Sequence, residues 1–228
     1  PNPDKVAAAL LANYNGDAFQ RVIYTESHDE VANGKARVAE EIASGDVNNF
    51  FSKKRATLGI ALVLTAPGVP MIFQGHELLE DRWFSDDDPI DWSRFSEFKG
   101  ITKLHRDLIH LRLDRHGYTR GLTGHQTGLL AVDNERKLIA FQRYESGAPG
   151  DNTVVVMNFS NDPIADYHIS LPAPGMWRVR FNSDWEGYDD EFTNHPVFDT
   201  EAGPAEHTYV ARVSVAPYST IILSQDPE

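Results

Sequence analysis

The sequence predicts an α/β segment over residues 1–117 followed by an antiparallel β-sandwich over residues 118–228. Three observations predict it. Apolar residues recur at helical spacing up to about Tyr118. Two short apolar strands interrupt those helices, and each runs into a polar cluster. Beyond Tyr118 the helical period stops, and short β-rich runs alternate with Gly, Pro and Asn.

Taken in order, Asp4 is positioned to cap a short helix carrying Val6, Leu10 and Leu11 on one face. Arg21–Thr25 (RVIYT) reads as a strand ending in polar residues. Asp46 can cap a longer helix in which Phe50, Leu58, Ala61 and Leu62 recur, and Pro67–Gly68 stops it. Val69–Phe73 (VPMIF) reads as a strand buried on both faces, as in parallel sheets covered by helices. A further helix places Phe98, Ile101, Leu104, Leu108 and Leu111 on one stripe.

The second half offers seven strands: Leu129–Val132, Lys137–Tyr144, Thr153–Phe159, Tyr167–Leu171, Trp177–Asn182, Tyr209–Val215 and Thr220–Leu223. Asp133–Arg136 turns the first pair into a hairpin. Seven short strands of this kind predict a sandwich able to fold regardless of what precedes it.

Composition narrows the function. A formal net charge of −13 argues against nucleic acid, whose phosphates need a basic face, and against anionic membrane. No apolar run approaches the ~20 residues of a membrane span. The chain has no cysteine, so it can form no disulfide or thiolate metal site, and a reducing, cytoplasmic setting is expected.

Two clusters carry chemistry. Glu26-Ser27-His28-Asp29-Glu30 follows the first strand, and Gln74-Gly75-His76-Glu77 follows the second. Polar residues at the C-terminal ends of parallel strands are where α/β active sites form. The same residues also read as local structure. Ser27 and Glu30 match a helix-capping box, and Gly75 suits a tight βα turn. A metal held by His28, Asp29, His76 and Glu77 lacks the two-histidine helical spacing that would support it, and no metal or cofactor is expected. Trp83 and Phe84 follow the second strand. Trp83 either packs its own loop or meets a sugar face, whereas Trp92 and Trp177 read as packing. The runs Asp86–Asp88 and Asp189–Glu191 read as solvated loop charge.

The stretch YTESHDEVANGKAR (Tyr24–Arg37) resembles the fourth signature region of the α-amylase family, in the SHDEV form of the 1,4-α-glucan branching enzymes. APGVPMIFQGHE (Ala66–Glu77) resembles the family's eighth barrel strand, although Gln74 and His76 stand where branching enzymes more often carry methionine and glutamine. PIDW (Pro89–Trp92), VMNFS (Val156–Ser160), FNSD (Phe181–Asp184) and the closing APYSTIIL (Ala216–Leu223) extend the resemblance over nearly the whole chain.

This resemblance implies that residues 1–117 are strands seven and eight of a (β/α)8 barrel with their helices, and that residues 118–228 are the family's C-terminal β-domain. It implies an α-glucan substrate, starch or glycogen, which a negative surface would not repel. Asp29 matches the family's transition-state-stabilising carboxylate, and His28 matches the histidine that hydrogen-bonds the same sugar. Trp83 would contact glucan, with Glu30 and Glu77 in support. The nucleophile and general acid would lie upstream of Pro1, so the chain alone is expected to be inactive. Alternatives are a hydrolase using the same machinery and a non-catalytic carbohydrate-binding or packing module. Two barrel strands without neighbours have unpaired edges, so self-association through the first half is expected.

Overall fold

The computed structural model describes residues 2–205 and 208–227. It opens with α1 (Pro3–Leu11), capped by Asn2, whose Oδ1 accepts from Asp4 N at 2.9 Å. Asn2, rather than Asp4, is thus the cap, and Pro3 fills the first helical turn, where it needs no N–H partner. Strand β1 (Val22–Ile23) leads into the short helices α2 (His28–Ala32) and α3 (Val38–Ile42), then the long α4 (Phe50–Thr65). Asn49, not Asp46, caps α4, accepting from Phe51 N at 2.9 Å. The helix ends at Ala66, before the Pro67–Gly68 stop expected from sequence. Strand β2 (Val69–Pro70) follows, and then α5 (Arg94–Glu97) and α6 (Lys99–Arg112), whose buried stripe contains Ile101, Leu104, Leu108 and Leu111.

Strands β1 and β2 form a two-stranded parallel sheet, Val22 opposite Val69 and Ile23 opposite Pro70. Both are shorter than the sequence suggests. Val69 is 46% exposed, so β2 is not the two-sided buried strand expected, and Val22 of β1 is likewise 54% exposed. Among the described residues no other strand pairs with either, and no closed α/β barrel is present.

The second half holds β3 (Gln126–Asp133), β4 (Leu138–Tyr144), β5 (Thr153–Asn158), β6 (Ile164–Leu171), β7 (Gly175–Asn182), β8 (Thr200–Ala205), β9 (Thr208–Val215) and β10 (Ser219–Ser224). The β3–β4 hairpin is as expected, with Asp133 opposite Leu138. These strands form not a sandwich but one eight-stranded antiparallel sheet, ordered β3-β4-β5-β10-β7-β8-β9-β6. The end strands β3 and β6 come into contact, so the sheet is nearly a closed barrel. The strand that reading by propensity missed, β8 (TEAGPA), causes the difference. It joins β7 to β9 and so links what would otherwise be two sheets.

The central strands β4, β5 and β10 are buried on both faces. Leu138, Ala140, Val154, Val156, Ile221 and Leu223 belong to the core inside the curled sheet, with Trp177 and Val213. Ile139, Phe141, Val155, Met157 and Ile222 belong to a second core with Leu58, Ala61, Leu64, Ile101, Leu104 and Leu108 of α4 and α6. This second core runs across residue 118, so the helices cover the sheet's outer face and the sheet does not complete its core alone.

Polar ties reinforce that contact. Lys54 Nζ lies 2.6 Å from Asp184 Oδ1 and 2.7 Å from Ser219 Oγ, and both members of the ion pair are 1% exposed. Asp184 also accepts from Thr193 Oγ1 and His195 N. Burial by itself pushes the Asp184 carboxyl up, but Lys54 and these bonds outweigh it and hold it below its ordinary value. Breaking such a pair leaves an uncompensated charge in the core. Asp184→Asn is therefore expected to cost about 3–5 kcal/mol. The double variant Lys54→Met/Asp184→Leu should recover most of that loss. Urea denaturation of the three proteins checks this, and equal stability of Asp184→Asn and wild type would contradict it.

Candidate functional site

Because β1 and β2 run parallel, the segments leaving their C-terminal ends emerge on the same side. The first carries Glu26–Glu30 and the second Phe73–Phe84. They meet at the His28 ring, whose centroid lies 6.5 Å from that of Phe73 and 5.9 Å from that of Phe84.

Ser27 is the N-cap of α2, its Oγ accepting from Glu30 N at 3.3 Å. The reciprocal half of a capping box is not made. Glu30 instead takes Lys35 Nζ at 2.7 Å. Capping thus accounts for Ser27, and Asp29 lies in the first turn of α2, where its charge also suits the helix N-terminus. The side chains of His28 and Asp29 are 59% and 80% exposed, with His28 Nε2 at 3.2 Å from Asp29 Oδ1. An exposed carboxylate beside an imidazole that adjoins two aromatic rings can bind polyhydroxy ligands and present an anion.

Two residues to which the sequence assigns no individual role, Glu26 of the first cluster and Arg37, hold the two segments together. Glu26 and Arg37 are 4% and 3% exposed. Arg37 Nε and Nη2 donate to Glu26 Oε1 at 3.2 and 2.9 Å, and Val38 N donates to Oε2 at 2.6 Å. Arg37 Nη2 also donates to Gln74 O at 2.9 Å, and the guanidinium carbon lies 4.1 Å from the Phe73 ring centroid. Downstream, buried Glu80 accepts from Arg82 Nε and Nη2 at 2.9 and 2.8 Å. Burial alone would raise the Glu80 carboxyl, but Arg82 and Arg94 outweigh it and hold it at about 2. Gly75, at φ 87°, permits the turn into this segment, since a Cβ there would come within 2.8 Å of Glu80 Cβ.

Trp83, 57% exposed, lines a small recess with Arg37, Gln74, Phe84 and Pro89. Trp177 is fully buried, as packing requires, but Trp92 is 65% exposed and does not pack as expected. Its loop is tied down by Arg94 on the Leu78 and Leu79 carbonyls, which leaves the indole no role there. Glu77 lies elsewhere. It lines a groove beside α6 with Thr102, His105 and Arg106, and is not brought to His28 and Asp29. Among the described residues, His28, Asp29, His76 and Glu77 form no group able to hold a metal.

His76 and His105 are both 3% exposed, with ring centroids 5.4 Å apart, and neither Nε2 has a hydrogen-bond partner. Burial, with the Arg37 charge, lowers His76 to about 4. Burial, with His76 beside it, lowers His105 to about 3. A folded-state value below the unfolded one means stability that is full above about 6.5 and is lost as pH falls towards 4 and 3. Glu80 acts in the same direction, but only below about 4.3. Unfolding free energy measured against pH should therefore begin to fall near pH 6.5. In His105→Leu the decline between pH 6.5 and 4.5 should be visibly shallower. An unchanged profile in that variant would contradict the assignment.

Residues 130–226 match the family described as alpha amylase, C-terminal all-beta domain. The protein named 1,4-alpha-glucan branching enzyme GlgB from Rhodospirillum rubrum is 29% identical over 205 residues, 88% of this chain and 27% of the relative. The protein of the same name from Rhodopseudomonas palustris is 33% identical over 178 residues, 71% of this chain and 23% of the relative. The chain thus spans about a quarter of the length of these curated relatives. In fold it resembles pullulanase from Anoxybacillus sp. LM18-11, solved with maltotetraose (TM-score 0.65, 19% identity, 98% of this chain and 30% of that one). It also resembles type I pullulanase from Bacillus subtilis, solved with maltose (TM-score 0.65, 20% identity, 99% of this chain and 32% of that one). Residues 130–226 therefore carry the all-β C-terminal domain of the alpha-amylase family, and over most of its length the chain is a homologue of proteins named 1,4-alpha-glucan branching enzyme.

Proposed function

We propose that this chain is the C-terminal part of an α-glucan-active enzyme whose reaction is 1,4-α-glucan branching. The observation that carries the reading is the exposed His28–Asp29 pair, within an SHDEV sequence, at the shared C-terminal end of two parallel strands. In this reading residues 1–117 supply the last two strands of a (β/α)8 barrel, and residues 118–228 are the β-domain behind it. The unpaired outer edges of β1 and β2 support it. An apolar groove of about 390 Å³ lined by Val6, Leu10, Val22 and Tyr24 lies at the β1 edge. A second, of about 370 Å³, is lined by Ile72, His105 and Ile109. Upstream residues of the same chain would cover these surfaces. In their absence a second copy would do so, and sedimentation of this chain alone reads that association directly.

The parent reaction breaks an α-1,4 bond with retention. A carboxylate nucleophile and a carboxylic acid, separated by about 5–5.5 Å, form and then discharge a glycosyl-enzyme, here onto a glucan 6-hydroxyl. Both groups would come from upstream of Pro1, so this chain alone is inactive. Asp29 would place a fixed negative charge against the oxocarbenium-like transition state and accept from sugar hydroxyls. His28, seated on Phe73 and Phe84, would donate to a hydroxyl of the same sugar. Trp83 would pack a sugar face, with Glu30 steadying α2 through Lys35. Glu77 would support the site only from the α6 side, through the turn it shares with His76.

In the complete enzyme, Asp29→Asn should leave the fold intact and lower turnover of amylose about 10²–10³-fold, the usual effect of deleting one preorganised stabilising group. Near-normal turnover would reduce Asp29 to part of a helix end and favour a non-catalytic module. Reducing ends counted during incubation of wild type separate the remaining readings. Transfer keeps their number nearly constant, whereas a steady rise identifies a hydrolase using water as acceptor.

A further inference from the structure

We propose that Arg37 and Glu26 are positioning residues. On the reading of Asp29 and His28 given above, they fix where those groups stand relative to Phe73, Phe84 and Trp83. Both are almost wholly buried, and of the two only Arg37 reaches the recess beside Trp83. Their bonds nevertheless connect every piece of the site. Glu26 immediately precedes Ser27, the cap that starts α2 and sets the direction of His28 and Asp29. Its Oε2 receives Val38 N, at the start of α3, so one carboxylate holds both ends of the loop containing α2. Across the gap, Arg37 Nη2 bonds the Gln74 carbonyl, and the guanidinium covers the Phe73 ring. That ring in turn adjoins His28 and Phe84.

The alternative, a pair that only adds stability, fits this arrangement poorly. The β1–β2 pairing ends at Ile23 and Pro70, with one further bond from Met71 N to Ile23 O at 2.8 Å. Beyond that point no strand pairing holds the two segments in register. The polar connection passes through a single guanidinium. Its planar fork serves Glu26 Oε1 with two donors while a second Nη2 hydrogen reaches Gln74 O, a geometry that a lysine ammonium does not reproduce. A site whose groups must lie within a fraction of an ångström is sensitive to such a link, since a ~1 Å displacement can cost about 10²-fold in rate.

The test compares Arg37→Lys, Glu26→Gln and Asp29→Asn in the complete enzyme, with kcat and KM for amylose expressed per folded molecule. Arg37→Lys and Glu26→Gln should lower kcat by about 10- to 100-fold, with KM changed by less than about threefold. Asp29→Asn serves as the reference. If it is inactive while Arg37→Lys keeps a wild-type kcat, the positioning role is overturned and the reading of the site survives. If Asp29→Asn is fully active, the reading of the site fails first. A rise in KM alone for Arg37→Lys also overturns the role. A second measurement does not depend on activity or on variants that fold. In the present chain, native-state amide exchange should show residues 26–38 and 74–84 opening as one unit, with the Val38 amide among the slowest. Separate opening of the two segments would overturn the proposal.

Discussion

The carbonyl end of α4 is the point on which the remaining structure depends. A helix C-terminus leaves backbone oxygens without intrahelical partners, and here that end is buried between the parallel strands and the β-domain. Three arginines from separate parts of the chain bind carbonyls of this end and of the Pro67–Gly68 turn that follows it. Arg21, just before β1, donates to Pro67 O at 2.9 Å and to Ala9 O of α1 at 2.5 Å. Arg112, at the end of α6, reaches Ala66 O at 2.7 Å and Gly68 O at 2.5 Å. Arg143, in β4, donates to Thr65 O at 2.7 Å and to Gly124 O. These contacts are to carbonyls rather than carboxylates, and the negative end of the helix dipole adds to them. Burial lowers Arg112 to about 10, and burial with the neighbouring arginines lowers Arg143 to about 9, so both remain cationic at neutral pH.

The other end of α4 is held as firmly. Lys54 is buried against Asp184 and Ser219, and Lys53 bonds Asp189 and Glu191. With both ends fixed to the β-domain, α4 exposes only Phe51 and Arg55 near its start, and the rest of the helix is buried or half-buried. That explains a helix in which Ser52, Lys53, Lys54, Thr57 and Thr65 are as buried as Leu58 and Ile60. It also sets the geometry of the site. The helix feeds directly into β2, β2 aligns β1, and the two strand ends deliver Phe73 beside His28. On the proposed function, the β-domain therefore contributes to the active site without touching it, by holding the helix that holds the strands.

How much of this the sequence reveals depends on the range of the interaction. Local pattern locates nearly every strand of the β-domain, the β3–β4 turn, the stripe on α6 and the Ser27 cap, because each is set by neighbours a few residues away. The missed strand, β8, contains Gly203 and Pro204, residues of low strand propensity, and pairing with β7 and β9 overrides that preference. Missing it turned a nearly closed sheet into a sandwich. The burial of Lys54 has no local signature, because the partner that makes it possible lies 130 residues away. Glu26 stands directly before the SHDEV run, but nothing periodic points from it to Arg37. The place of His28 and Asp29 just after a strand was legible in the sequence, because strand and cap are both set locally. That Glu77 belongs to the α6 side and Trp92 faces solvent follows from the path of the loop after β2, which no local pattern encodes.

If α4 joins the strand pair to the β-domain, the two halves should unfold together. Native-state amide exchange of this chain in rising denaturant measures that most directly. The slowest amides of α4, β5 and β10 should share one opening free energy with one denaturant dependence. Residues 118–228 retaining full protection after α4 has exchanged would contradict it, because the β-domain would then be stable without the helix that covers it.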